Sequence, residues 1–120
     1  MSDAILDQAE ADLKRGDAAA AESALMRQWR DMSSAPADAQ HVMAMVRMAQ
    51  QNRKEAAQHM RGAVRAEPNA LRHHIGLGHI LYADRDYAGA MESYAAALRI
   101  DPTWPGLQLA MSSAAYSAGH

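Results

Sequence analysis

The chain has 120 residues, 49% of them apolar, and 12 basic against 14 acidic side chains leave a formal charge of −2. That length and apolar content suit one folded domain and exclude disorder, while the charge balance offers no bulk attraction to nucleic acid or anionic membrane. Cysteine is absent, no run approaches the roughly 20 apolar residues of a membrane span, and the charged start MSDAILDQAEADLKRGD lacks a secretory core; a cytoplasmic protein is expected.

Phenylalanine is absent, β-branched residues are scarce, and Ala, Leu, Met, Gln and Arg abound. With no sustained period-two alternation, the chain is expected to be all-α. A first helix is predicted over 3–15, with Ile5, Leu6, Ala9 and Leu13 on one face. Gly16 closes it and Asp17 caps the next, over about 18–31. Because Arg15-Gly16-Asp17 is a turn between helices, it carries no integrin-type reading. Met32 to Pro36 form the longest loop. A third helix spans 38–51, and Asn52 caps a fourth with Glu55 completing a capping box. That helix ends near Pro68, and Asn69 caps a fifth over 71–83. The turn Asp84-Arg85-Asp86 leads to a sixth over 87–100. Thr103 caps a last helix over about 104–118, with Pro105 in its first turn. Its Leu107, Leu109, Ala110, Ala114 and Tyr116 are expected to cover the open end of the array.

The spacing within 71–104 identifies the architecture. Leu77 and Gly78, then Leu81, Ala90, Tyr94, Ala97 and Pro102 stand at the offsets of two antiparallel helices in close contact. Gly78 and Ala90 permit the approach, Leu81 and Tyr94 fill the space beside it, and Pro102 ends the second helix. Stepping back 34 residues puts Ala44, Ala56, Met60, Ala63 and Pro68 at the matching places of Gly78, Ala90, Tyr94, Ala97 and Pro102. A third, more degenerate copy has Ala9, Ala21 and Leu25, one residue further off. The pattern resembles the tetratricopeptide repeat, departing from it at His74 and Leu81, where that pattern has Trp and Tyr. The resemblance implies a right-handed superhelical solenoid of antiparallel helix pairs. It divides the chain into repeats of about 2–36, 37–70 and 71–104 plus the capping helix.

Nothing in the sequence points to catalysis: it contains no cysteine, no P-loop and no nucleophile elbow. The chain is expected not to be an enzyme and to need no cofactor. Among His41, His59, His73, His74, His79 and His120 no pair has the i, i+4 spacing of helical metal ligands, so no metal site is expected. His41 and His79 are the pair expected to meet across neighbouring helices. Met43 and Met60 fall at core places, whereas Met45 and Met48 lie off that stripe.

In the resembled family the first helix of each pair lines a concave groove. That implies a site of Asp38, His41, Met45 and Met48, then Arg72, Ile75, His79 and Tyr82, then Leu109, Ser113 and Tyr116 on the last helix. The first repeat adds Leu6, Glu10 and Leu13. This mixture of apolar and aromatic side chains with a few polar handles suits a peptide. Some family members clamp the carboxylate of a chaperone tail with Lys, Asn and Arg. Here those places hold Leu6, Glu10, Val42 and Gly76, with only Arg72 cationic, so that ligand is not expected. Arg53, Lys54, Arg61 and Arg65 form a solvated outer face, and the acidic Asp3, Asp7, Glu10 and Asp12 make head-to-tail association conceivable.

The expected function is a scaffold that binds a peptide or partner protein in this groove. The runner-up is an amino-terminal module of a larger enzyme, as bacterial sulfotransferases, glycosyltransferases and aspartyl hydroxylases carry, serving substrate presentation or oligomerisation. The end soon after one capping helix favours that alternative. Self-association, with the last helix of one chain in the groove of another, is the third.

Overall fold

A computed structural model describes residues 2–119, with side chains from residue 4 onward; His120 lies outside the described residues. Seven α-helices follow one another: α1 Ser2–Lys14, α2 Ala18–Gln28, α3 Ala37–Ala49, α4 Arg53–Ala66, α5 Leu71–Ala83, α6 Tyr87–Ile100 and α7 Leu107–Ala118. There is no strand among the described residues. Each helix packs on the next, and α3 also touches α1 and α5, so α1, α3 and α5 form one layer of an array 42 × 26 × 23 Å across. The array is an all-α helical-repeat solenoid.

The turns within the pairs repeat most faithfully. Gly16, Gln51 and Arg85 each adopt a left-handed conformation, with φ of 83°, 64° and 66°. In each case the amide of the following residue reaches back to a carbonyl five positions earlier. The bonds run from Asp17 to Asp12, Asn52 to Arg47 and Asp86 to Leu81, all at 2.8 Å. This is the Schellman closure of a helix. The same Asp17, Asn52 and Asp86 then cap the next helix by accepting from the amides of Ala20, Glu55 and Gly89. One residue ends a helix and the next begins another. Glycine alone bears the left-handed turn without a Cβ penalty; Gln51 and Arg85 hold it because closure and cap fix both sides.

Three predicted boundaries need correction. The second helix stops at Gln28, because Trp29 turns extended and Asp31 opens a short 3-10 turn, Met32–Ser34, by accepting from the Ser33 amide. The predicted loop is therefore structured, and Met32 is buried in it. Asn69 does not cap α5: Ala70 occupies the cap position and no side chain bonds there. Nor does Thr103 cap α7. Its hydroxyl and amide both bond Asp101, leaving Pro105 outside the helix and left-handed Gly106 at its start.

Two apolar cores meet at α3. One joins α1, α2 and α3 through Ala9, Leu25, Val42, Met43 and Val46. The other runs from Ala37 and Ala44 of α3 to Leu107 and Ala114 of α7. Serving both, α3 buries seven of its thirteen residues and so acts as the spine.

Tyr94, wholly inside the second core, packs on Gly78. A Cβ at Gly78 would stand 2.5–2.9 Å from three carbons of the Tyr94 ring. Gly78→Ala is expected to destabilise the fold by about 1–3 kcal/mol, the usual cost of overpacking, despite alanine's better helix propensity. Urea denaturation measures this, and unchanged or raised stability would mean that the ring can step aside.

Candidate binding groove

The groove arises from the phase of two neighbouring helices. On α3, His41, Met45 and Met48 recur every three to four residues. On α5, Arg72, Ile75 and His79 do the same, with Ile80 beside them. Facing each other, with Met60 of α4 behind and Trp104 of the α6–α7 link at one end, they enclose an open cleft of about 770 Å³. Met45 and Trp104 remain 46% and 45% exposed in its wall. Gly76 keeps the floor open. A Cβ on it would lie 2.7 Å from the Met60 methyl and 3.3 Å from Cε1 of His41.

Polar groups sit along one side. Nδ1 of His41 lies 2.8 Å from Nδ1 of His73, and Nε2 of His73 lies 2.9 Å from the Glu67 carboxylate. His73 is completely buried. Burial first, then the nearby His73 and Arg72, push the pKa of His41 down to about 4, while Asp38 opposes. The Arg72 guanidinium bonds the carboxylate of Asp38 at the rim. Asp38, Glu67 and His73 offer ligand atoms within 4.8 Å of one another. Each is already engaged, by Arg72, His73 and Glu67 respectively, so the cluster reads as a hydrogen-bonded network.

Of the residues singled out in the sequence, His41, Met45, Met48, Arg72, Ile75 and His79 line this cleft. Tyr82, Ser113, Leu109 and Tyr116 do not, and Asp38 stands at the rim. Tyr82 stacks edge-on against Tyr87 at 5.2 Å and its hydroxyl lies 3.3 Å from Oγ of Ser117. Ser113 is half-buried on α7. Leu109 and Tyr116 are 72% and 73% exposed. The expectation that these two cover the open end is corrected: Leu107, Ala110, Met111 and Ala114 are the α7 residues that join the second core. Leu6 and Leu13 pack into the first core and Glu10 is exposed, so the first pair does not extend the cleft. Asp12, counted as part of an acidic surface, is buried and bonded to Arg15 and Gln8.

The expected meeting of His41 with His79 is also corrected. His41 bonds His73, while Nδ1 of His79 lies 2.7 Å from the hydroxyl of Tyr94. Sequence reasoning missed His73, Glu67 and Trp104. A usable signal existed for the Asp38–Arg72 bond: the two stand at the same repeat position, 34 residues apart, with opposite charges.

Paired helices, recurring Schellman turns and a groove between alternate helices define a helical-repeat solenoid. A family profile described as tetratricopeptide repeat matches residues 41–105, more than half of the chain, and the chain belongs to that family. Among solved structures it is similar to a mutant of the Thermobaculum terrenum O-GlcNAc transferase, at 25% identity and a TM-score of 0.80 over 93% of this chain and 21% of that one. It is also similar to the TPR2AB domain of yeast Sti1 in complex with pHSP90, at 20% identity and a TM-score of 0.77 over 98% of this chain and 46% of that one. The chain thus spans less than half the length of either. No curated protein sequence matches it. No helix among the described residues is long and apolar enough to cross a membrane.

Proposed function

We propose that the chain is a single tetratricopeptide-repeat domain of three repeats and a capping helix, which binds a peptide segment of a cytoplasmic partner protein in the α3–α5 groove and catalyses no reaction. The supporting observation is the cleft itself: apolar, some 770 Å³ in volume, with Met45 and Trp104 both about half exposed in its wall. An apolar concavity of that size costs free energy in water unless a partner covers it. Met45, Met48 and Ile75 supply burial, with His41, Arg72 and His79 as polar handles. Leu109, Ser113, Tyr82 and Tyr116 lie away from the cleft and would contact only a longer partner. A chaperone-tail carboxylate is a poor candidate, because Asp38 already holds the Arg72 guanidinium and Val42 is buried.

The test is Met45→Asp. Its side chain is exposed, so the melting temperature should shift little, within the roughly ±0.5 kcal/mol of an ordinary surface change. A peptide in the cleft would bury that unpaired carboxylate, and affinity should fall at least about tenfold. The partner would be captured from lysate with the wild-type domain, identified by mass spectrometry, and its binding to both forms measured by calorimetry. Equal affinity would sink the groove reading.

A second reading has one observation in its favour. The match to the O-GlcNAc transferase covers 21% of that chain, as expected if this domain serves as a substrate-presenting or oligomerising module of a larger enzyme. Sedimentation of the isolated domain tests the oligomerising form, with a monomer at working concentration counting against it.

A further inference from the structure

One contact between the two helices of the groove admits a single proton. Nδ1 of His41 on α3 lies 2.8 Å from Nδ1 of His73 on α5, and the ring centroids are 5.0 Å apart at a tilt of 48°. That separation is close to the contact itself plus the two ring radii, so the nitrogens meet head-on and the rings do not stack. Two nitrogens facing at this distance hold together only when one carries a proton and the other a lone pair. A neutral pair satisfies this whichever ring donates. A pair with one positive charge satisfies it too, an imidazolium donating to a neutral ring. A doubly charged pair puts a proton on both facing nitrogens and cannot keep the contact.

Burial turns that restriction into a link between helices. His73 is completely buried, and its Nε2 lies 2.9 Å from the carboxylate of Glu67 on the α4–α5 connection. While α3 and α5 stay closed, water does not reach the ring, and a buried cation stripped of its partner is costly. The second proton therefore requires the helices to part at this point. The charged neighbours do not remove the conflict. Asp38 of α3 favours a proton on His41 and Arg72 of α5 opposes it, and the two bond each other across the same seam. Glu67 faces His73 from the connection, and α4 presents the uncharged Met60. The other nearby imidazoles point elsewhere, His74 to the carbonyl of Pro68 and His79 to the hydroxyl of Tyr94. Burial first, then His73 and Arg72, keep His41 neutral down to about 4, which has the same sense.

We propose that His41 and His73 form an acid-released clasp between α3 and α5: the closed pair shares one proton, and uptake of a second parts the helices at the end of the cleft that His41 lines. The clasp belongs to the fold and stands whether or not the cleft holds a peptide. Once open, both rings titrate near the ordinary imidazole value of about 6.5. Well below that value the open form holds at least one proton more than the closed form, so its population rises at least about tenfold per pH unit.

Two measurements test this. At pH 7 a nitrogen–nitrogen scalar coupling between the two Nδ1 atoms is expected, the signature of a shared proton, and its absence would overturn the proposal. Native-state hydrogen exchange between pH 6.5 and 5, corrected for intrinsic rates and repeated in low urea, reads the opening. Amides beside His41 and His73 should lose protection at least about tenfold per pH unit through an opening that urea barely promotes, because little surface is exposed. If those amides instead share the steep urea dependence of α6, they exchange by global unfolding and there is no clasp. In His41→Gln the carboxamide offers His73 either a donor or an acceptor, so the contact tolerates every charge state. The acid-promoted local opening should vanish in that variant; its persistence would also overturn the assignment.

Discussion

Tyr94→Ala is expected to lose about 3–5 kcal/mol of stability, the usual cost of truncating a fully buried aromatic side chain. The ring is only 2% exposed, fills the space that Gly78 leaves, and joins the core shared by α3 to α7. Against a total of about 5–15 kcal/mol for a domain, that loss is a large fraction. Tyr94→Phe separates ring from hydroxyl. It removes only the 2.7 Å contact with His79, an exposed side chain that water can satisfy, so about 1 kcal/mol or less is expected. Because the core of α1 to α3 is separate, the damage should be local. Hydrogen exchange should accelerate throughout α5, α6 and α7 in Tyr94→Ala while α1 and α2 keep their protection, as expected where stability is a sum of neighbouring repeats. Uniform acceleration along the chain would show that the two cores melt as one.

That Tyr94 can be singled out at all is owed to local packing rules that survive in the sequence. Gly78, Ala90 and Tyr94 answer to one helix–helix contact, and such a contact needs a small residue on each side and a filler between them. The caps Asp17 and Asn52 were equally legible, since each serves only the amide three residues on. The Asn69 and Thr103 caps failed for the same kind of reason in reverse. Asn69 lies one residue too early, and Thr103 finds Asp101 two residues back before any helix amide, so backbone geometry decides between near-equivalent polar side chains. The groove was half legible. Positions on α3 and α5 follow from helical phase, because these two helices share a register 34 residues long. The α7 positions did not, since Leu107 and Met111 set its rotation against α6 and sent Leu109 and Tyr116 outward. The hydrogen-bonded chain from Glu67 through His73 to His41 was illegible: it joins a helix end to two other helices over spacings of six and 32 residues, which match no repeat.

Burial of His41 brings an expected loss of stability in mild acid. His41 titrates near 4 in the folded chain against an ordinary 6.5. Between those values the unfolded chain binds a proton that the folded chain does not, so the free energy of unfolding falls as pH drops through that window and is unaffected by His41 above it. The full difference amounts to about 3 kcal/mol; the ring is part-open to the cleft, and about 2 kcal/mol is a fair expectation once solvent screening is allowed for. His59 shifts the same way, its pKa lowered by burial first and then by Arg47, and adds to the slope. The remedy for the first term is His41→Gln, which has no proton to gain. Urea denaturation from pH 8 to 4.5 should show the variant losing about 2 kcal/mol less than the wild type across the range, with the curves parallel above pH 7. Parallel curves throughout would mean that His41 is protonated as readily folded as unfolded.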